Sequence, residues 1–274
     1  MANKIYLAGS FFDFRDKIIS SLPEFDFSDP RKHRQHSIAS LVEDDMEEAK
    51  SSRVLLACFP KGKSRGTMTY AEIGASKTAG NMLIVADETS EPDFLTQLAD
   101  KYFCSIDKAI DFIKNGLFQR INESDEHMPP EYFDMKKANS DEKFRIFLSS
   151  SRENFPFLSE IKENGKKIIA PEDMESLEDL GRMDLTLTYL KKGMPIDRRA
   201  VFFMGMAYAT EIPNILIEEN PVAYPPLLGL ARRVFSGKNG QYAAADYISQ
   251  LESQEIDKEA KIMYELFKTY NTKS

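Results

Sequence analysis

The chain has 274 residues, 42% of them hydrophobic, and a formal net charge of -8 with a sequence pI near 5.2. That length allows one large domain or two of ordinary size with real cores, while the acidic balance excludes a broad phosphate-backbone-binding surface and leaves room only for a local basic pocket. Two cysteines, Cys58 and Cys104, make neither a disulfide framework nor a thiolate metal site, and no stretch approaches the roughly 18 apolar residues of a membrane span, so the expectation is a cytoplasmic protein with no metal centre and no membrane contact.

In chain order, Lys4-Ile5-Tyr6-Leu7-Ala8 reads as a short strand ended by Gly9-Ser10, with a helix carrying Phe14, Ile18, Ile19 and Leu22 behind it. A small-residue turn between a strand and a helix can hold an anion on free backbone N–H groups, which makes Gly9 and Ser10 candidate substrate contacts. Residues 24–36 form a polar connection with a basic cluster at Arg31, Lys32 and Arg34; His33 and His36 read as residues of a solvated loop rather than as metal ligands. From residue 35 to 51 the spacing predicts a helix with Ile38, Leu41, Val42, Met46 and Ala49 on one stripe. Asp45 falls on that stripe, and a carboxylate on an inward face needs a partner or a purpose.

Val54 to Phe59 is an unbroken apolar strand, and Leu83 to Ala86 is another. The polar loop 60–69 and a short amphipathic helix between them complete a βαβ unit, with the loop expected to be flexible and to lie at the ligand-binding edge of a parallel sheet. Thr67 or Thr69 is placed to cap that helix, which puts Glu72 in its first turn, where the helix dipole favours an ionised carboxylate. Helical patterns follow through Leu98 and from Ser105 to Ile113.

The second half repeats the first. The stretch Phe144 to Ser150 resembles Ile5 to Ser10, with Ile146 on Ile5 at an offset of 141, and after a deletion of ten, Leu185–Leu190 falls on Val54–Phe59, Gly205 on Gly74 and Ile215-Leu216-Ile217 on Ile84-Val85-Ala86 at an offset of 131. On this alignment Tyr6 becomes Phe147, Asp45 becomes Ser176 and Glu72 becomes Phe203, so a site in the first copy has no chemical counterpart in the second. The domains predicted are 1–118, a linker over 119–142, and 143–274, the last ending in a helical stripe of Ile256, Ala260, Met263, Phe267 and Tyr270. The fold class predicted is α/β, a tandem duplication of a parallel-sheet sandwich.

Ile5 to Ser10, Asp29-Pro30-Arg31, Asp45-Met46 with Ser52 to Ala57, and Glu72-Ile73-Gly74-Ala75 together resemble the nucleoside 2-deoxyribosyltransferase superfamily, which includes the 2'-deoxynucleoside 5'-phosphate N-hydrolases. The resemblance covers about residues 4–87, with the second repeat a degenerate copy. It implies a flavodoxin-like or Rossmann-like fold and cleavage of an N-glycosidic bond at C1' of a deoxyribose. In that pattern Glu72 is the nucleophile that forms a glycosyl-enzyme intermediate, Asp45 protonates the departing base and Tyr6 orients Glu72; water or a second nucleobase resolves the intermediate. No metal or redox cofactor is implied. Gly66 stands six residues before Glu72, where transferases of the family often carry a further acidic residue. Ser10 and the Arg31 cluster tilt the reading toward a 5'-phosphate. Family members also generally oligomerise, which implies an intramolecular pseudo-dimer here, with the second repeat lining the pocket of the first, and a possible homo-oligomer. The competing class is a non-catalytic nucleotide-binding or sensing module in which Glu72 only starts a helix; a weaker third is an N-glycosidase acting on another ribosyl compound.

Overall fold

The computed structural model describes residues 4–10, 14–33, 36–117, 143–161, 166–219, 225–237 and 239–251. The expected linker over 119–142, the stripe from Ile256 to Tyr270, and Arg34 lie outside the described residues. Among the described residues ten strands form two parallel five-stranded sheets. The first comprises β1 (Lys4–Gly9), β2 (Asp26–Ser28), β3 (Val54–Phe59), β4 (Met82–Asp87) and β5 (Lys101–Phe103), in the order β2-β1-β3-β4-β5. The second comprises β6 (Phe144–Leu148), β7 (Lys166–Ile169), β8 (Leu185–Leu190), β9 (Asn214–Glu218) and β10 (Arg233–Ser236), in the order β7-β6-β8-β9-β10. Both are the flavodoxin-like order, so the molecule is a tandem duplication of one α/β unit.

The central strands were legible because strands covered on both faces read as unbroken apolar runs. The edge strands β2, β5, β7 and β10 were missed: they span three or four residues each and carry polar side chains such as Asp26, Lys101 and Lys166. Within the first sheet the two-residue period sorts side chains between two cores. Ile5, Leu7, Val54, Leu56, Ile84 and Ala86 face α1 (Phe14–Ser21) and α5 (Ile106–Lys114). Tyr6, Ala8, Leu55, Ala57, Leu83 and Val85 face the other way, toward α2 (Ile38–Ser51) and α3 (Thr67–Thr78). A short helix α4 (Leu95–Leu98) precedes β5.

The second half keeps the sheet and loses helices. Among the described residues only short 3-10 turns stand between β6 and β7, and the ten-residue deletion falls where α2 would be, leaving the 3-10 segment Leu177–Arg182 with Ser176 at its N-cap. The described helices of the second half are α6 (Arg198–Ala209), α7 (Pro225–Leu228) and α8 (Gly240–Gln250).

The halves meet through α3 and α6. A Cβ added to Gly74 would lie 2.1 Å from Phe202 O, and one added to Gly205 would lie 2.0 Å from Ala71 O. Gly74 with Gly205, and Ala71 with Phe202, are equivalent pairs at the offset of 131, so the contact is isologous within one chain. One apolar core runs through it, joining Tyr70 and Ile73 to Val201, Phe202 and Met206. Elsewhere along the seam Val42 of α2 abuts Gly229, and Phe94 packs edge-on against Phe202 at 5.6 Å. This explains a departure from expectation: α3 is buried on nearly every side from Thr69 to Ser76 rather than amphipathic, because the second half covers the face that a lone domain would leave to solvent.

Candidate active site

Three elements converge on one buried polar cluster. β1 points Tyr6 at the α2/α3 layer, α2 brings Asp45 on its inward stripe, and α3 brings Glu72; their exposures are 0%, 5% and 4%. The three residues that the sequence reading picked for catalysis are thus together. Burial first, and the Asp45 carboxylate second, push the Glu72 carboxyl up to about 8, opposed by the Arg15 guanidinium and by the nearby Tyr6 hydroxyl. Burial likewise raises Asp45, against the pull of His33 and Arg15. The Tyr6 hydroxyl is held well above its ordinary value by burial and by the two carboxyls. Neither Tyr6 Oη nor Glu72 Oε2 has a hydrogen-bond partner, although buried polar atoms are ordinarily paired.

The placement of Glu72 differs from expectation. The helix begins at Thr67 behind Gly66, which has no side-chain cap, so Glu72 is its sixth residue and lies beyond the first turn where the dipole acts. Its environment therefore favours the protonated rather than the ionised carboxyl. The second copy gives an internal comparison: the residues equivalent to Tyr6 and Glu72 are Phe147 and Phe203, whose rings pack edge-on at 4.8 Å. The same backbone positions that gather polar groups in one half are filled by hydrocarbon in the other.

Two further residues belong to the cluster, and sequence reasoning missed both. His33 is not solvated: its side chain is 10% exposed and its Nδ1 lies 2.7 Å from Asp45 Oδ1. Nothing in the spacing signals this, because a 3-10 turn over Pro30–Lys32, capped by Asp29, carries the chain back over α2. Arg15 is fully buried, with Nη1 donating to Leu7 O at 2.5 Å and to Asp29 Oδ1 at 3.2 Å, and Nη2 donating to Gly9 O at 2.6 Å. It had a legible signal, since Ile18, Ile19 and Leu22 follow it at helical spacing on the apolar stripe.

The candidate substrate contacts sit at the carboxyl end of β1. Gly9 adopts φ +137, and a Cβ there would meet Cys58 O at 2.6 Å, so only glycine fits. Ser10 Oγ donates to Ser64 O at 3.1 Å and stands beside Gly66. Arg31 is engaged by two carboxylates, Nε with Asp29 Oδ2 at 2.8 Å and Nη2 with Asp16 Oδ1 at 2.6 Å. Lys32 and His36 are exposed. Nor is the loop 60–69 free throughout, because the buried Arg65 ties it down through Asp87, Asp93, Thr89 Oγ1 at 2.8 Å and Glu91 O at 2.9 Å. Arg198 of the second half reaches the same segment, at the carboxylates of Asp93 at 3.5 Å and Glu91 at 3.2 Å. Among the described residues there is no group of three or more His, Cys, Asp or Glu placed to hold a metal ion, and no helix long and apolar enough to cross a membrane.

No family model matches the chain, and no curated protein matches it. Among solved structures it is similar to a "Putative sugar binding protein" from Salmonella typhimurium LT2, at 12% identity over 90% of this chain and 86% of that one, with a TM-score of 0.27. It is also similar to the E. coli RcsC C-terminus containing a linker region and a phosphoreceiver domain, at 10% identity over 99% of this chain and 96% of that one, with a TM-score of 0.24. Overlaps this loose say nothing about the site.

Proposed function

We propose that the first copy cleaves the N-glycosidic bond of a deoxynucleoside or deoxynucleoside 5'-monophosphate, with Glu72 as nucleophile. The observation that carries this reading is a buried carboxyl with an unpartnered oxygen, set beside a tyrosine hydroxyl and a second carboxyl that is itself hydrogen-bonded to a histidine. An oxocarbenium-like centre needs a carboxylate on one face and a proton donor at the leaving group, and this cluster supplies both. In the ionised form Glu72 bonds to C1' as the C–N bond breaks; the bond's electron pair goes to the base nitrogen, which takes a proton from Asp45. Water, or the nitrogen of a second base, then bonds to C1', returns a proton to Asp45 and frees Glu72 as carboxylate. Tyr6, protonated throughout, donates to Glu72 once that carboxyl has ionised and so fixes its orientation for attack. The second half contributes by holding α3 through the Gly74 and Gly205 crossing, and the reading needs no cofactor.

The test is chromatographic product analysis of the full chain and its Glu72→Ala variant with deoxynucleosides and their 5'-monophosphates, with and without a second base. Free base from the wild type and none from the variant is the expected result, and base exchange would mark a transferase. A second reading, a non-catalytic nucleotide-binding module, draws support from the Phe147 and Phe203 pair, which shows that this fold stands without the polar groups. It gains if no substrate turns over while nucleotides raise the melting temperature.

A further inference from the structure

We propose that Ser28 and Glu48 are positioning residues that keep an acidic proton in the hydrogen bond between Asp45 and His33. This rests on the function proposed above and concerns how its acid is maintained.

The contacts run outward in one line. Asp45 Oδ1 lies 2.7 Å from His33 Nδ1; His33 Nε2 lies 3.3 Å from Ser28 Oγ; Ser28 Oγ donates to Glu48 Oε2 at 2.9 Å, and Glu48 pairs with Lys4. A hydroxyl has one proton to give. Ser28 gives its proton to a carboxylate, so toward His33 it accepts, and Nε2 has to carry a hydrogen. The proton bridging Nδ1 and Asp45 then belongs either to a carboxylic acid facing a neutral imidazole or to an imidazolium facing a carboxylate. Either arrangement has a proton that a leaving group can take. Were Nε2 free to stand bare, the imidazole would turn to its other tautomer and hold the bridging proton on Nδ1 as a neutral ring, which is no acid. The pinned tautomer also makes loss of that proton costly, since it leaves a carboxylate facing a ring lone pair.

The charged and titratable groups around the pair come from four elements: Asp44 and Glu48 from α2, Lys4 and Tyr6 from β1, Arg15 from α1, and Glu72 from α3. In the proposed reaction the bridging proton goes to the departing base nitrogen, and water returns one in the second half, so the pair ends each turnover as it began.

The experiment follows kcat/KM against pH for the full chain and its Ser28→Ala variant on two substrates. One is an ordinary purine deoxynucleoside; the other is its N7-methylated form, whose cationic base leaves without being protonated. Ser28→Ala should lose at least about tenfold on the first substrate, with the falling, high-pH limb that the proton donor sets moved to lower pH, and less than about twofold on the second. Ser28→Thr, which keeps the hydroxyl, should restore the profile. Should Ser28→Ala not fold, Glu48→Gln, whose amide no longer obliges Ser28 to donate outward, must move the same limb the same way. Equal losses on both substrates, or an unmoved limb, overturn the proposal. A wild type that releases no base from either substrate overturns instead the function on which it rests.

Discussion

At neutral pH the Glu72 carboxyl carries a proton, because burial has lifted it from an ordinary 4.5 to about 8. Between those two values the native state binds a proton that the unfolded chain releases, so stability falls as pH rises through that window, by about 1.4 kcal/mol per pH unit for one proton. Glutamine has the same shape and does not titrate. We therefore expect Glu72→Gln to unfold with a flatter pH dependence and, at pH 9, to be more stable than the wild type by roughly 3 to 5 kcal/mol, the gap closing toward pH 5. Thermal or urea unfolding across this range checks it, and parallel pH curves for the two proteins would mean that Glu72 is not held in this state. In the proposed reaction the same ionisation would set the rising limb of the activity profile, since the nucleophile there is the carboxylate. Tyr6→Phe places in the first copy what the second already has at 147. It removes an unpartnered buried hydroxyl, so stability should hold within about 1 kcal/mol while turnover falls at least about tenfold. A variant that loses both together would assign Tyr6 to packing.

At the scale of elements, the α3 and α6 crossing is the tightest contact described. Gly74→Ala drives a methyl into Phe202 O and requires the helices to separate, which should cost about 2 to 3 kcal/mol and displace Glu72 two residues away. Gly62→Ala is the control. Gly62 sits at φ +70 with nothing near its missing side chain, so alanine there should cost about 1 kcal/mol of backbone strain and leave activity unchanged. Removing Arg65 strands two buried carboxylates, Asp87 and Asp93, and Arg65→Ala should cost about 3 to 5 kcal/mol in denaturant unfolding. An effect below 1 kcal/mol would show that water enters and solvates them.

Over the whole molecule, one apolar core is shared by both halves, so the chain should melt in a single calorimetric transition whose van't Hoff and calorimetric enthalpies agree. Two separated transitions would contradict that shared core. The duplication was legible because buried parallel strands leave long apolar runs whose spacing survives a deletion. Asp45 was legible because it falls on an otherwise apolar helical stripe, whereas Tyr6 and Glu72 were picked out by the family resemblance and not by spacing. His33 was not legible, because a capped 3-10 turn, which no periodicity reports, decides where it points. The full burial of α3 was not legible either, since it depends on a second half more than a hundred residues away in sequence.

The glycine crossing has a consequence for how the protein behaves on dilution. Where two separate subunits meet through such a contact, the assembled fraction follows their concentration. Here both surfaces belong to one polypeptide, so the effective concentration of one for the other is fixed by the chain itself and does not fall with the number of molecules in solution. Specific activity should therefore stay constant down to any working enzyme concentration. The fusion also frees the two surfaces from having to be identical, which lets one half give up its polar cluster and serve as a permanent support for the other.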